Sequence, residues 1–451
     1  MSVFAVPLFD CWLVHAPLLK ISAVINGAAH RELSTDPDCL DPHLADMRAA
    51  LAEVPSEIPQ PLQGAVSPPF FGLVPTRACN LNCVYCGFGA GPQSDLMTIP
   101  LAVAGVNWMA AYALSSGRRT LDVHFFGGEP LIAFEVVEVA VHRARCVASQ
   151  NKLHPNLEVA TNGAYSETRA RFVGDHFNTV VLSFDGFEEI HDRRRYFASG
   201  AGSFPLVSRT AHICSESPAD LCLRVCVAED NVDRLPDIAG WFCDEFRPSA
   251  IDFESLQPTL QSERAGLRPP DPYRFAASYM IARRIALEHG VDAVYAAASI
   301  DELRITLCPV GNDTLILHPD GRLSACYLPE PDWRCRGLDL NLGALLPDGT
   351  TTLDPAALQR VRHLVGQKPR CPRCFCRWTC AGACHVNHSY PGCPGDYDDF
   401  CIQTRLVTAC RLLQELDFDS LAMELLENHH AMERLALHAD DRLRPNEVAR
   451  E

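Results

Sequence analysis

The chain has 451 residues, of which 47% are hydrophobic and 21% are charged, so it holds enough apolar material for a core and too few charges for a disordered protein. It contains 39 Lys and Arg and 56 Asp and Glu, a net charge of −17, which disfavours a general binder of nucleic acid or of anionic membranes. Its apolar runs are shorter than the roughly 20 residues of a membrane span, and residues 1–10 lack the basic start of a signal peptide. We therefore expect a cytoplasmic protein without membrane or nucleic-acid partners.

The 21 cysteines are the unusual part of this composition. Because the cytosol keeps thiols reduced, metal or redox chemistry explains them better than a disulfide framework. Three lie within residues 79–86 and eight within residues 371–410. The isolated cysteines before residue 300 are interpreted as thiols without a chemical role, and those between 146 and 243 as core thiols. They are Cys11, Cys39, Cys146, Cys214, Cys222, Cys226 and Cys243.

Residues 1–70 are predicted to form a small α+β extension, with short strands at 9–15 and 19–25 and a helix at 42–52. Five prolines between residues 55 and 69 indicate a linker after it.

From residue 71, strand-length apolar runs alternate with segments of helical periodicity. Repeated strand–helix units predict a parallel sheet with right-handed crossovers. Six units in about 190 residues favour an open, partial (β/α)6 barrel over a closed barrel of eight. The predicted strands are 71–76, 121–126, 157–161, 179–184, 221–228 and 251–256, and the helices between them are 100–116, 134–150, 166–177, 203–215 and 232–246.

The pattern changes after a helix predicted at 272–288. A hairpin is expected around Pro319-Asp320-Gly321 and a helix at 354–365. Residues 369–400 are rich in Cys, Pro and Gly without a hydrophobic period, so bound metal is expected to supply their folding energy. A closing helix is predicted at 402–427, and the last twenty or so charged residues are expected to fray.

The first cysteine group, Cys79-x-x-x-Cys83-x-x-Cys86, directly follows the first strand of the barrel. Three thiolates at this spacing can hold three irons of a [4Fe–4S] cluster and leave the fourth open to a chelating small molecule. Zinc is the alternative, although structural zinc sites fit this spacing poorly.

With Tyr85 before its last cysteine, this group resembles the signature of radical S-adenosylmethionine (SAM) enzymes. The element Gly127-Gly128-Glu129-Pro130 resembles the Gly-Gly-Glu element of that family, in which the glutamate and the backbone hold the methionine amino group. Asn162, in Thr161-Asn162-Gly163 at the end of strand three, matches many members.

The following strand ends add to the resemblance. The segment from Ser183 through Asp185 to Gly186 is similar to an element of the peptide- and protein-modifying members, and the resemblance implies that Ser183 and Asp185 contact the cofactor. Arg224 on strand five is assigned to the methionine carboxylate, which suits a guanidinium fork. The family's chemistry follows as an expectation: a reduced cluster cleaves SAM to methionine and a 5′-deoxyadenosyl radical, which abstracts a substrate hydrogen.

The second cysteine group resembles, cysteine for cysteine, the SPASM extension of these enzymes, which carries two auxiliary [4Fe–4S] clusters. The resemblance implies that the nearer cluster is held by Cys308, Cys326 and Cys384, and the farther one by Cys371, Cys374, Cys380 and Cys401.

The nearer auxiliary set has only three thiolates. Cys335 or Asp313 could complete it, or one iron is open and could bind the substrate. Cys376 and Cys393 fall outside the pattern and are interpreted as spare thiols.

The resemblance implies a maturase that crosslinks a ribosomally made peptide, through a thioether or a carbon–carbon bond, with flavodoxin or ferredoxin as electron donor. A sulfatase maturase that forms formylglycine is the enzyme alternative, and a non-catalytic iron–sulfur electron carrier is the alternative of another class. The expected domains are a possible leader-binding extension, the barrel, the auxiliary-cluster domain and a helical tail, at 1–70, 71–295, 296–415 and 416–451.

Overall fold

The computed structural model describes residues 3–35, 41–55, 57–88, 95–386 and 397–443. It begins with an antiparallel three-stranded sheet and two helices. Two of these strands and the second helix were predicted, whereas the four-residue first strand and the polar first helix gave too little apolar pattern to be recognised. These elements are β1 (Phe4–Pro7), β2 (Cys11–Ala16), β3 (Ile21–Asn26), α1 (Gly27–Thr35) and α2 (Pro42–Ala52).

The N-terminal sheet has two buried faces, because successive strand residues point to opposite sides. On one face Phe4, Val6 and Leu13 join the main hydrophobic core, and on the other Val14 packs in a smaller cluster with Leu33 of α1. The sheet is therefore anchored to the rest of the molecule through its first face.

The predicted parallel sheet is present, with one short strand more than expected. Seven strands run parallel in the order β10-β9-β8-β7-β6-β5-β4, and they form an open α/β partial barrel. The strands are β4 (Phe71–Leu73), β5 (Thr120–Phe125), β6 (His154–Thr161), β7 (Thr179–Ser183), β8 (Asp220–Val227), β9 (Ala250–Ser255) and β10 (Asp292–Val294).

The sheet continues beyond β4 into the C-terminal third of the chain. The next strand pairs parallel with β4, and three antiparallel strands follow it, the first at the predicted hairpin. These strands are β11 (Leu315–Leu317), β12 (Arg322–Ser324), β13 (Asn341–Leu345) and β14 (Thr351–Leu353). One sheet thus joins the barrel to the region rich in cysteine.

Helices connect the parallel strands and cover one face of the sheet. In the barrel they are α3 (Ile99–Ser115), α4 (Phe134–Asn151), α5 (Glu167–His176), α6 (Glu188–Arg194), α7 (Phe204–Ser215), α8 (Leu235–Phe246), α9 (Leu260–Arg264) and α10 (Pro272–Glu288). After it they are α11 (Glu330–Arg334), α12 (Pro355–Arg362), α13 (Asp399–Glu415), α14 (Asp419–Glu427) and α15 (His429–Ala436).

The closing helix predicted at 402–427 is divided into two helices, and the tail that was expected to fray is described as far as residue 443, whereas residues 444–451 lie outside the described residues. Asp417, which lies between α13 and α14, takes a left-handed backbone conformation with φ of 62°. This conformation interrupts the predicted helix. Beyond α15, Arg442 pairs with Phe4 of β1 and Asp441 is buried, so this part of the tail is ordered.

Strands β5, β6 and β8 alternate between a buried face under the helices and a half-buried face toward the barrel interior. In β8, Leu223 and Val225 are buried, whereas Cys222, Arg224 and Cys226 are half-buried. A polar interior face suits a cavity better than a packed core. Within the part of the chain that is described, no helix is both long and apolar enough to span a bilayer.

Candidate active site

The loop after β4 brings Cys79, Cys83 and Cys86 together at the carboxyl end of the strand, where ligands bind in parallel α/β folds. Burial raises the pKa of Cys79 to about 11 and that of Cys83 to about 12. The charge of Cys86 adds to the rise at both thiols, and the charge of Cys79 adds to the rise at Cys83. The loop is fixed to the barrel by Asn82 and Val84, whose amides donate to the Tyr196 and Arg194 carbonyls at 2.7 and 3.0 Å.

This donor set fits a cubane cluster better than one metal ion. Among the residues that the structure describes, no three His, Cys, Asp or Glu side chains converge as ligands of a single ion. A zinc site needs such convergence, whereas a [4Fe–4S] cluster takes one thiolate at each iron and so accepts sulfurs that are farther apart. The three thiols of the loop thus suit a cluster that takes one thiolate at each of three irons, and zinc stays an alternative.

Gly127 and Gly128 pack against the segment that leads to Cys79. A Cβ atom on Gly127, whose φ is 154°, would lie 2.4 Å from the Thr76 carbonyl oxygen, and one on Gly128 would lie 2.3 Å from the Ala78 oxygen. The Gly128 amide donates to Thr76 at 3.1 Å. Only glycine allows this approach, so the element shapes the cysteine loop.

Glu129 joins the ends of β5 and β6. Its buried carboxylate accepts hydrogen bonds from the Leu131 amide at 3.0 Å, the Asn162 amide at 2.7 Å and the Thr161 hydroxyl at 2.9 Å. Burial raises its pKa to about 7 against these hydrogen bonds. Asn162 continues toward the cysteine loop, with Nδ2 3.5 Å from Sγ of Cys79.

Asp185 lies just beyond β7 and is completely buried, with both carboxylate oxygens bound by the chain. One oxygen accepts the Tyr85 hydroxyl at 2.6 Å and lies 3.2 Å from Nε of Arg195, and the other accepts the Cys226 amide at 3.0 Å. Burial opposes ionisation, but Arg195 and Arg194 outweigh it and lower the pKa of Asp185. Asp185 therefore orients the cysteine loop through Tyr85, and a direct contact with the cofactor stays a prediction.

Ser183, which is half-buried, ends β7 and is aligned across the sheet with Arg224 of β8, which is aligned in turn with Asp252 of β9. Nε of Arg224 donates to the Asp252 carboxylate at 2.6 Å. The guanidinium fork that the sequence assigned to the methionine carboxylate thus has a carboxylate partner within the chain, a pairing that local sequence does not reveal. Burial, and next to it Asp252, raise the pKa of the neighbouring Glu254 to about 8.

A cavity of about 440 Å³ opens between the cysteine loop, the ends of β8 and β9, and α11. Its polar and thiol-bearing wall residues include Tyr85, Arg195, Arg224, Cys226, Glu254, Asp332, Cys335 and Arg336. Sequence reasoning missed Arg194 and Arg195, although the run of arginines after His191 was a signal for them. It also assigned Cys226 to the core, whereas its side chain borders this cavity.

The seven cysteines of the C-terminal pattern come together in the two predicted groups. In the first, Cys308 and Cys326 each feel the charge of Cys384, and burial, followed by that charge, raises the pKa of Cys308 to about 12. In the second, a small cavity is bordered by all four predicted cysteines and by a fifth thiol: Cys371, Cys374, Cys376, Cys380 and Cys401. Cys376 was interpreted as a spare thiol, yet it lies inside the group.

Asp313 is wrong as the fourth ligand of the nearer auxiliary site. Its carboxylate is buried and holds Arg362 of α12 at 2.7 and 2.5 Å, and it also accepts the Ser67 amide at 2.8 Å. Arg362 donates in turn to the carbonyls of Gly64 and Ala65, so this ion pair fastens the linker. Cys335, the other alternative, is exposed in the wall of the active-site cavity, where its thiol donates to the Asp332 carbonyl.

Among the remaining cysteines, Cys214 and Cys243 are buried as predicted, and Cys222 is half-buried. The interpretation of Cys146 as a core thiol is wrong, because its side chain is exposed on α4. The spacing of apolar residues predicts that this segment is a helix, but it does not show on which side of the boundary between the buried and exposed faces Cys146 lies. Cys39 and Cys393 lie outside the described residues.

The family model described as "Radical SAM superfamily" matches residues 73–217. The radical SAM cyclopropyl synthase TigE of Paramaledivibacter caminithermalis is 22% identical over 192 residues, which cover 40% of this chain and 39% of that protein. A cysteine-type anaerobic sulfatase-maturating enzyme of Clostridium perfringens is 28% identical over 211 residues, which cover 44% of this chain and 56% of that protein. The chain therefore spans from about two fifths to just over half of the length of these relatives.

Likeness to solved structures extends farther along the chain. A structure described as native anSMEcpe with bound AdoMet and Kp18Cys peptide has a TM-score of 0.60 at 18% sequence identity. The match covers 77% of this chain and 98% of that one. At this identity the match shows a shared fold.

Proposed function

We propose that this chain, a member of the radical SAM superfamily, is a maturase that modifies a ribosomally made precursor peptide by radical chemistry. The observation that carries the proposal is that three features lie at the same edge of the sheet. The three clustered thiols, the Gly-Gly-Glu element and a large polar cavity all lie at the carboxyl edge of one parallel sheet.

The residues divide the work at this edge. Cys79, Cys83 and Cys86 would hold a [4Fe–4S] cluster, and Gly127 and Glu129 shape the loop beside it. When bound, the cluster and SAM supply the 5′-deoxyadenosyl radical that abstracts a hydrogen atom from the substrate. The chain contributes orientation, because Tyr85 of the cysteine loop donates to the buried Asp185 and Arg195 forms an ion pair with the same carboxylate.

Two auxiliary clusters are proposed at the two C-terminal thiol groups. Ten cysteines would serve three clusters, which leaves one iron position for SAM and one at the nearer auxiliary site. Auxiliary clusters suit a reaction that ends in oxidation. A thioether or carbon–carbon crosslink removes two hydrogen atoms from the peptide: one goes to the adenosyl radical, and the other leaves as a proton and an electron. Crosslinking therefore needs an electron acceptor, and an auxiliary cluster would supply one. A redox-neutral reaction would need no such acceptor, so the two proposed auxiliary clusters support crosslinking.

The N-terminal extension is proposed to recognise the leader of the precursor. In its sheet β3 is an edge strand, and helix α1 follows β3 directly. An edge strand is a surface to which an extended peptide can add as a further strand. Flavodoxin or ferredoxin is proposed as the electron donor. Domain limits near residues 70, 295 and 415 belong to the same proposal.

A sulfatase maturase is the second candidate, because one of the relatives carries that name and the solved structure binds a peptide named Kp18Cys. Against a non-catalytic electron carrier stands the cavity of about 440 Å³ beside the cysteine loop, which an electron carrier does not need.

The experiment is an anaerobic incubation of the reconstituted, reduced protein with SAM and one of two peptides. The first is the product of a short open reading frame beside the gene, and the second is the Kp18Cys peptide. We expect the first peptide to lose two hydrogen atoms by mass spectrometry and to remain unreactive toward an aldehyde-specific hydrazide. Modification of Kp18Cys alone, to an aldehyde-reactive product, would contradict the crosslinking function and favour the second candidate.

A further inference from the structure

Arg405 of α13 is a buried arginine beside the farther group of cysteines. Its guanidinium lies 4.2 Å from the ring centre of Tyr397 and 5.1 Å from that of Phe375, and its side chain is 1% exposed. Nη1 donates to the Sγ atom of Cys374 at 3.3 Å. A fixed positive charge is therefore in hydrogen-bonding contact with one of the four thiols that are proposed to hold this cluster.

The arginine is held by Asp441, which lies 36 residues later in the ordered tail. The Asp441 carboxylate is fully buried and binds Nη1 and Nη2 of Arg405 at 2.5 and 2.9 Å, in a two-pronged pair. It also accepts the Phe375 amide at 2.9 Å, directly after Cys374. The same residue thus fixes the guanidinium and the backbone of the cysteine loop.

The tail that carries Asp441 is tied in place from both sides. The Asp441 amide donates to the Arg373 carbonyl at 3.1 Å, and its own carbonyl accepts the Ala5 amide of β1 at 2.6 Å. Arg442 pairs with Phe4. Burial of an ion pair costs several kcal/mol of desolvation per ion, and apolar side chains of similar volume often stabilise a core equally well. The retention of a buried and well-fixed Arg405–Asp441 pair beside the cysteines therefore points to a role that needs the charge.

We propose that Arg405, oriented by Asp441, is a positioning residue that raises the reduction potential of the farther auxiliary cluster, an inference that rests on the proposed function. Hydrogen bonds and positive charge at cluster sulfurs favour the reduced state, which carries one more negative charge. The guanidinium of Arg405 donates to the Cys374 sulfur itself, whereas the compensating Asp441 carboxylate binds the guanidinium and the Phe375 amide, so the hydrogen-bonding partner of the sulfur is the cation. The site would then accept the electron that crosslinking releases.

The test measures reduction potentials rather than turnover. The protein is reconstituted with Cys79, Cys83 and Cys86 replaced by alanine, so that only the two auxiliary clusters remain, and it is titrated with dithionite and followed by electron paramagnetic resonance. R405Q combined with D441N removes the charge without leaving an unpaired buried carboxylate. R405K keeps the charge. R411Q is the matched control, because Arg411 lies on the same helix but pairs with the exposed Asp301 and the Ala298 carbonyl.

In the double variant we expect one of the two midpoints to fall by at least 59 mV, a tenfold change for a one-electron couple. The other midpoint, the iron content and R411Q should be unchanged, and R405K should recover at least half of the shift. Unchanged midpoints with full iron, or an equal loss of iron in R405K and in the double variant, would overturn the tuning role. A parent protein with no auxiliary iron would instead refute the proposed clusters themselves.

Discussion

Asp185 is the residue at which the cysteine loop meets the neighbouring strands. Tyr85 reaches it from the loop, Arg195 from the segment after α6 and the Cys226 amide from β8. Because these partners come from three separate parts of the chain, local sequence identified the aspartate but not its function in the fold. The sequence motif indicated only that Asp185 resembles a cofactor-binding residue. The structure shows in addition that Asp185 is buried and forms an ion pair with Arg195.

Replacement of Asp185 by asparagine should lower the free energy of unfolding by about 3–5 kcal/mol, because it leaves the buried Arg195 without its anion, whereas Arg194 keeps Asp230. Urea unfolding under anaerobic conditions measures the change. D237N is the matched control, since Asp237 pairs with Arg234 at 3.0 Å on the exposed surface of α8. It should cost at most about 1 kcal/mol, and an equal cost for both variants would contradict the assigned role of Asp185.

Glu254 gives the stability a pH dependence. Burial, followed by Asp252, raises its folded pKa from an ordinary 4.5 to about 8. Between about pH 5 and pH 8 the unfolded chain releases this proton before the folded protein does, so stability falls as the pH rises. E254Q should therefore flatten the fall in unfolding free energy across this window. A wild-type curve that is parallel to that of E254Q would show that Glu254 ionises normally.

At the scale of elements, the break between α13 and α14 shows what a sequence pattern conceals. The apolar period runs on through both helices, so one helix was predicted. Asp417 ends α13 because its amide returns to the Gln414 carbonyl at 3.0 Å and the Phe418 amide to that of Leu413 at 2.8 Å. Glycine is the usual residue at such a position, and the aspartate concealed the signal.

D417G should raise the free energy of unfolding by about 0.5–1 kcal/mol, because glycine takes a positive φ without the cost that a Cβ atom brings. The comparison is D419G at the first position of α14, which should destabilise the protein by a similar amount by removing an acidic residue from a helix start. Thermal or urea unfolding of both variants measures these changes. The same sign for the two would contradict the assigned geometry.

The strands and helices of the barrel could be predicted because apolar residues repeat at different intervals in the two kinds of element. The cysteine groups could be predicted because the spacing of the cysteines along the chain is distinctive. The short β1 and β10 lack enough residues to show a period. The pairing of Arg405 with Asp441, and that of Arg362 with Asp313, joins residues far apart in sequence. Such pairs depend on the folded arrangement of several elements, which no local pattern contains.

For the molecule as a whole, one continuous sheet connects the proposed cofactor site with the strands on either side of which the nearer auxiliary cysteines lie. β4, which leads into the cysteine loop, pairs with β11, which leads toward the auxiliary cysteines, and the tail after α15 pairs with β1. The N-terminal sheet, the farther thiol group and the end of the described chain are therefore parts of one packed unit.

The most direct measurement of the central claim is the cleavage of SAM by the reconstituted protein reduced with dithionite, followed by chromatography of the nucleoside products. We predict that the wild type and C146A, whose exposed thiol lies outside the proposed sites, release 5′-deoxyadenosine, and that C83A does not. Absence of 5′-deoxyadenosine from an iron-loaded wild type, or its continued release by C83A, would contradict the account.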